Sequence, residues 1–167
     1  MIVYNRRHPI HRCVRQMLYW VYNQGKKLYW YLWRPETIGV KCMVFNSAGQ
    51  LLLVRVGYMH KSWVIPGGKV ESGESFAEAA KRELYEEVGV AVEAVSPLFT
   101  REHTKQYKKD IVHYFKAISD VADFTIDDEK IIDVGWFSLS ALPEPRTWRL
   151  DEALVQYTTV IKTYESE

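Results

Sequence analysis

The sequence predicts an α/β sandwich with a mixed sheet, preceded by a helical extension at the N-terminus. Apolar residues alternate with a period of two in several short segments, which is typical of strands. Helical periodicity marks one central and one C-terminal segment, and strands surrounding a central helix favour layered α/β packing. The 167 residues, 47% of them hydrophobic and 26% charged, fit one main domain and exclude a disordered, collagen-like or coiled-coil chain.

The first 35 residues differ from the remainder in charge and aromatic content. They carry seven Lys or Arg residues and no acidic residue. The remainder of the chain has the other 15 of the 22 Lys and Arg residues and all 21 acidic residues. Pro9 suits the first turn of a helix, and Gly25 suits its end. Helical spacing in between is kept by Ile10, Val14, Met17 and Val21. We therefore divide the chain into a basic, aromatic helical extension, 1–35, and a main domain, 36–167.

Three interpretations of the extension remain open at this point: a membrane-surface helix, a nucleic-acid contact, and a helix packed on the main domain or on a second copy in a homodimer. Packing is favoured, because aromatic residues are enriched in cores and interfaces alike. The chain has no apolar run as long as the roughly 18 residues of a membrane-spanning helix, and it lacks the pattern of a signal peptide. Two cysteines, Cys13 and Cys42, make no disulfide framework. We expect a cytoplasmic protein without a membrane or nucleic-acid partner.

The main domain opens with a predicted hairpin. Segment 38–45 alternates in the manner of a strand, 46–49 contains turn residues, and 51–56 returns as a second strand. Further strands are predicted at 90–95, 111–118 and 131–137. One helical turn is predicted at 138–142, and a last helix is expected to begin with Asp151 as its cap.

The central helix, predicted over 75–88, carries an unusual set of acids. Ser75 and Glu78 have the spacing of a capping box, and Gly89 stands where a helix-ending glycine belongs. At about 100° per residue, Glu83 and Glu87 fall at the edge of the apolar stripe rather than opposite it.

Three carboxylates at positions 83, 86 and 87 repel one another on this helix, and partial burial raises their pKa values. A hard divalent cation such as Mg²⁺ or Mn²⁺ relieves both effects, because it prefers oxygen ligands. A solvated acidic helix face is the alternative interpretation.

The spacing around the helix decides between these interpretations. Every specified position of the Nudix box, G-x5-E-x7-R-E-U-x-E-E-x-G-U with U bulky and aliphatic, is matched between Gly68 and Val90. The chain therefore resembles a Nudix hydrolase, with the α/β/α sandwich of that family. The resemblance implies metal-dependent hydrolysis of a pyrophosphate bond in a nucleoside diphosphate linked to another moiety, and hence a small-molecule, nucleotide-type substrate.

The resemblance also implies a role for individual residues. Glu83, Glu86 and Glu87 would bind Mg²⁺ or Mn²⁺, with the carbonyl of Gly68 (or its neighbour Gly67) as a further ligand. Glu83 is alternatively the general base. Arg82 would hold the carboxylates by charge-assisted hydrogen bonds. Glu74 would close the preceding loop onto the helix.

Substrate identity is left open by the sequence. An ADP-ribose or nucleotide-sugar pyrophosphatase is one alternative, and a non-catalytic nucleotide-binding regulator with a Nudix fold is another, although the intact box favours an enzyme. Outside the box, Arg55 could bind phosphate, and a basic loop could attract an anionic substrate through His103, Lys105, Lys108 and Lys109. A base could stack on Tyr58, Trp63 or Tyr107. A later catalytic base could be Glu102, Asp127, Asp128 or Glu129.

Overall fold

The computed structural model describes residues 36–57, 61–105, 107–126 and 129–165, together with Tyr22, Gln24 and Gly25. The predicted helix of the extension lies outside the described residues, apart from those three positions, and so do Tyr58, Asp127 and Asp128. The described residues form six strands and two helices: β1 (Glu36–Phe45), β2 (Leu51–Val56), β3 (Trp63–Val64), α1 (Phe76–Val88), β4 (Ser96–Lys105), β5 (Lys108–Ile118), β6 (Ile131–Phe137) and α2 (Trp148–Glu165).

One sheet contains all six strands. Its order is β3-β2-β1-β5-β4, and β6 pairs with β2 in addition. The predicted hairpin is confirmed, because β1 and β2 are antiparallel with Phe45 opposite Leu51. β6 runs antiparallel along β2 from Leu51 opposite Phe137 to Val56 opposite Ile131. The architecture is the α/β fold with a mixed sheet and two helices that the sequence predicts.

The core forms two clusters, because side chains of β1 alternate between the two faces of the sheet. Val40, Cys42 and Val44 pack with apolar residues of α1, whereas Met43 and Phe45 pack with the start of α2. Cys42 is fully buried, and burial raises the pKa of its thiol to about 12. Each helix thus covers one face, which makes the molecule a sandwich of three layers.

One predicted strand is wrong in the middle of the chain, and one strand was not predicted. Segment 90–95 is irregular, and the strand begins only at Ser96. The valines of that segment, Val90, Val92 and Val95, instead pack against the α1 side of the core, so their spacing reflects the docking of a loop. The sequence did not predict β4, because Pro97 and a run of polar residues interrupt its apolar pattern.

Two further details differ near the C-terminus. The predicted helical turn at 138–142 is a hydrogen-bonded turn, in which the Ala141 N–H donates to the Ser138 carbonyl at 3.0 Å. Helix α2 begins at Trp148, so Asp151 lies inside its first turn rather than capping it. There Asp151 accepts a hydrogen bond from the Arg146 Nε at 2.7 Å, which satisfies its carboxylate outside the helix backbone.

The chain divides into two compact units, one made of residues 38–102 and 111–167 and the other of 1–37 and 103–110. Every residue of the acidic box belongs to the first unit. In the second unit, the Thr37 hydroxyl donates to the Asp110 carboxylate at 2.7 Å. The helices in the part of the chain described here are too short or too polar to cross a membrane.

Candidate active site

Helix α1 is fixed at both ends by local hydrogen bonds. The Ser75 hydroxyl accepts from the Glu78 N–H at 3.2 Å, and the Glu78 carboxylate accepts from the Ser75 N–H at 2.8 Å, which is the predicted capping box. At the other end Gly89 has φ 71° and its N–H donates to the Tyr85 carbonyl at 2.8 Å. These caps fix where the helix begins and ends, and its buried apolar stripe fixes which way its acids face.

The three predicted carboxylates of α1 differ in burial. Glu83 and Glu87 are only 8% and 7% exposed to solvent, whereas the Glu86 side chain is 49% exposed. Burial raises the pKa of Glu87 above its usual value, and the nearby Lys41 and a hydrogen bond from the Gly67 N–H at 2.8 Å oppose that rise. The helical-wheel placement of Glu83 and Glu87 at the buried edge is confirmed.

Arg82 joins the acids of the helix to the loop before it. Its Nε and Nη2 donate to the two oxygens of Glu74 at 3.0 and 2.7 Å, a bidentate pair. Its Nη1 donates to Glu83 and to Glu86, each at 3.1 Å. A further bond from Nη2 reaches the Lys69 carbonyl at 2.9 Å. One guanidinium therefore holds three carboxylates, and these bonds lower the pKa of Glu74 and raise that of Arg82.

Two glycines before the helix allow close approaches, by the backbone of β1 at Gly67 and by a side chain of the helix at Gly68. Gly67 has φ 132°, and a Cβ there would stand 2.3 Å from the Val40 carbonyl oxygen. A Cβ on Gly68 would stand 2.4 Å from the carboxylate of Glu83. The Gly68 carbonyl already accepts the Val40 N–H at 2.9 Å, which leaves it one lone pair for another partner.

Lys41 is a site residue that the sequence analysis missed. Its ammonium donates to the carbonyls of Ile65 and Gly67, each at 2.7 Å. The residue keeps partial exposure, yet desolvation lowers the pKa of the ammonium, and the negative charges of Glu87 and Glu83 oppose that fall. A signal was present in the sequence, since Lys41 is the one charged residue among the consecutive positions 38–45.

The donor set suits a hard cation that arrives with a substrate. Among the described residues, no three His, Cys, Asp or Glu side chains stand close enough to hold a metal by themselves. Mg²⁺, however, usually takes only one or two carboxylates and completes its shell with waters and substrate phosphates. Glu83, Glu86 and Glu87 offer oxygen ligands of this kind, and the missing side chain at Gly68 lets the Glu83 carboxylate lie against the loop.

The predicted residues outside the box have other surroundings. Arg55 donates through Nε to the Lys61 carbonyl at 2.9 Å, and the Trp63 ring packs edge-on against Phe137 in the core, with centroids 4.8 Å apart. Glu102 and Glu129 are exposed. The basic residues that the structure describes at 103–109 belong to the other compact unit.

A capped acidic helix, whose arginine binds the preceding loop beside a glycine pair that bonds to β1 of the sheet, defines the class of fold and site found in Nudix proteins. The family model of the NUDIX domain matches residues 35–157, and the chain belongs to that family. The resemblance noted in the sequence is confirmed, and so is the predicted fold class.

Two curated relatives and one solved structure illustrate the similarity. The RNA pyrophosphohydrolase of Pasteurella multocida (strain Pm70) is 37% identical over 76 residues, which are 46% of this chain and 36% of that protein. The 8-oxo-dGDP phosphatase NUDT18 of Mus musculus is 28% identical over 125 residues, 72% of this chain and 38% of that protein. The chain thus spans well under half the length of both.

The solved structure is the MutT NUDIX hydrolase from Burkholderia pseudomallei. It superposes with a TM-score of 0.65 at 26% identity, over 72% of this chain and 97% of that chain. The similarity in fold therefore extends over nearly all of the solved protein.

Proposed function

We propose that this chain is a metal-dependent Nudix pyrophosphohydrolase, which cleaves the pyrophosphate of a nucleoside diphosphate linked to another moiety. The observation that carries the proposal is the Arg82 network, in which one guanidinium holds Glu74, Glu83 and Glu86 while Glu83 lies buried against Gly68. Burying carboxylates beside one another costs stability. A functional reason for retaining them is the binding of a cation and a phosphate.

Glu83, Glu86 and Glu87 would hold Mg²⁺ or Mn²⁺, with the free lone pair of the Gly68 carbonyl as a further ligand. When bound, the cation neutralises phosphate charge and lowers the pKa of a water molecule. The carboxylates are the only part of this assignment that the chain itself must supply, because waters and substrate phosphates complete the shell of Mg²⁺.

Glu83 is assigned as the general base. Its Oε1 accepts from Arg82, whereas its Oε2 accepts no hydrogen bond within the described part of the chain, so Oε2 is the atom that takes the proton of the attacking water. Arg82 orients the carboxylate, and the Gly67 N–H fixes Glu87 beside it. A later acid such as Glu129 is the alternative base.

The substrate is best searched for among molecules suggested by the relatives and by the sequence. Full-length protein with Mg²⁺ is offered ADP-ribose, a nucleotide sugar, 8-oxo-dGDP and an RNA with a 5′-terminal polyphosphate, and released monophosphate or pyrophosphate is measured. Cleavage of at least one of them is expected. Tight nucleotide binding without any cleavage would instead favour the nucleotide-binding regulator.

The surroundings of the enzyme complete the proposal. A nucleotide-type small molecule is its partner, and the cytoplasm is its expected location. The extension, 1–35, packs on the main domain, 36–167, or on a second copy of the chain in a homodimer.

A further inference from the structure

The loop 65–68, which precedes helix α1 in the chain, is bound at four consecutive carbonyls by three consecutive residues of β1. The carbonyls of residues 66 and 68 accept the backbone N–H groups of Cys42 and Val40, at 3.0 and 2.9 Å. Backbone donors of one strand reach alternate residues of the segment beside it, so the carbonyls in between need another donor. The Lys41 ammonium is that donor, at 2.7 Å from the carbonyls of residues 65 and 67. One side chain therefore completes the attachment of this loop to the sheet.

Gly67 connects this attachment to the acids of helix α1. Its carbonyl accepts from Lys41, while its N–H donates to the Glu87 carboxylate at 2.8 Å. Gly67 has φ 132° and no side chain, so its backbone is freer than that of other residues and keeps one orientation only if its polar groups are bound. The position of the Glu87 carboxylate therefore depends, through one glycine, on a charged side chain of β1.

The charge of Lys41 has a second effect, which opposes the first. The negative charges of Glu87 and Glu83 act on the ammonium, so a cation bound at these carboxylates is repelled by it. If this repulsion were the larger effect, loss of the ammonium would strengthen cation binding. If the attachment of Gly67 were the larger effect, the same loss would weaken cation binding. The two effects have opposite signs, and the cation affinity separates them.

We propose that Lys41 is a positioning residue of the acidic helix, which holds Gly67 so that Glu87 is oriented for a divalent cation, and that this effect exceeds its repulsion of the cation. The inference rests on the proposed metal-dependent hydrolase. Lys41 acts through Gly67 and contacts neither the cation nor the pyrophosphate. Groups that orient the ligands of a metal commonly contribute about tenfold to a hundredfold in metal affinity.

The first test measures binding of Mn²⁺ alone to the full-length protein by calorimetry, at a temperature where thermal melts show each variant folded. Lys41→Met keeps the length of the side chain and removes the ammonium, and its Mn²⁺ affinity should fall about tenfold or more. Lys41→Arg keeps a charge and several donors and should recover part of that affinity. Lys41→Gln, whose shorter side chain is uncharged, should also bind Mn²⁺ more weakly, and it decides the test if Lys41→Met fails to fold.

Lys116→Met is the matched control for the loss of one positive charge. Lys116 lies over the Phe45 ring, with its ammonium 5.6 Å from the ring centroid, and has no bond to the loop 65–68. Its substitution should leave the Mn²⁺ affinity unchanged. An unchanged or increased affinity in the folded Lys41 variants would overturn the proposal, because the ammonium would then act on folding alone or by repulsion.

Hydrolysis distinguishes positioning from direct contact with the substrate. On a substrate of the panel that wild type cleaves, Lys41→Met should raise the Mg²⁺ concentration for half-maximal activity about tenfold. The KM for that substrate in saturating Mg²⁺ should stay within about twofold of wild type. A raised KM with an unchanged requirement for Mg²⁺ would make Lys41 a substrate contact and overturn the proposal.

The same measurements separate this inference from the proposed function. Wild type that binds no Mn²⁺ and cleaves no substrate removes the metal-dependent hydrolase, and the role of Lys41 with it. Wild type that binds Mn²⁺ and cleaves a substrate, beside a folded Lys41→Met that binds Mn²⁺ equally well, removes the positioning role alone.

Discussion

The Arg82 guanidinium bonds to carboxylates in two places along the chain, Glu74 in the loop and Glu83 and Glu86 on its own helix. Its planar fork of five N–H groups makes this possible, and a lysine in its place would have three rotating donors and no fixed fork. At the scale of the residue, the site is therefore a network in which the positions of Glu74, Glu83 and Glu86 depend on the Arg82 guanidinium.

Glu83→Gln tests the assignment of the base. The substitution keeps the shape of the side chain and removes the charge that takes the proton, so kcat should fall by about 10²-fold or more. The melting temperature should not fall, because the change also removes repulsion within the acidic cluster. Single-turnover hydrolysis and a thermal melt of each protein give the two quantities.

Glu78→Gln is the matched control for that variant. Glu78 is exposed and serves the helix cap, in which glutamine also functions, so kcat should stay at the wild-type value. If Glu83→Gln cleaves as fast as wild type, Glu83 is not the base and the later acids become the next candidates.

Glu74 gives a prediction about pH. Its bonds to Arg82 hold its pKa below the usual 4.5, so the folded protein binds this proton less readily than the unfolded chain does. The stability contributed by Glu74 is therefore present above about pH 4.5 and is lost as pH falls through the lowered value. Thermal melts from neutral to acid pH should show Glu74→Gln less stable than wild type at neutral pH, with the gap closing in acid. A gap independent of pH would contradict this linkage.

Helix α1 shows which parts of the fold the sequence predicts well. Its caps depend on Ser75, Glu78 and Gly89, all within the helix or adjoining it, and its wheel depends only on helical geometry. The β1–β2 hairpin is likewise local. Lys41 stands out in the sequence as a lone charge in an apolar strand, but its bonds to the Ile65 and Gly67 carbonyls depend on segments that only the fold brings together.

The cap of α1 can be tested as an element. Ser75→Ala removes the acceptor for the Glu78 N–H and should reduce the free energy of unfolding by about 1 kcal/mol. Ser72→Ala, in the exposed turn just before the helix, should change it little. Urea denaturation of the two variants measures the difference. Equal stabilities would mean that the cap contributes nothing to the folded state.

At the scale of the whole molecule, a bound cation should stabilise the native state by mass action, since the unfolded chain does not bring the acids of α1 together. Addition of Mg²⁺ should therefore raise the melting temperature of wild type. The rise should shrink in Glu86→Gln and in Glu87→Gln, and calorimetry should show weaker Mg²⁺ binding in both. Unchanged Mg²⁺ affinity in both variants would place the metal elsewhere.

The proposed packing of the basic, aromatic extension gives a prediction about the stability of the chain. If 1–35 pack on the main domain or on a second copy, deletion of these residues should lower the melting temperature or convert a dimer into a monomer, as measured by thermal melts and light scattering. Affinity for anionic vesicles should be absent before and after the deletion. Strong vesicle binding by the full chain, lost on deletion, would favour the membrane-surface interpretation instead.

The burial of Cys42 makes the alkylation rate of its thiol a measure of how often the core opens. A thiol with a pKa near 12 and no solvent contact is inert to alkylating reagents, because only an exposed thiolate reacts. Cys42 lies under helix α1, and its own N–H donates to the Pro66 carbonyl at 3.0 Å. In a Cys13→Ser background, the rate of alkylation therefore reports how often the acidic helix lifts from the sheet, and a substrate that binds at the box should slow that rate in proportion to its occupancy.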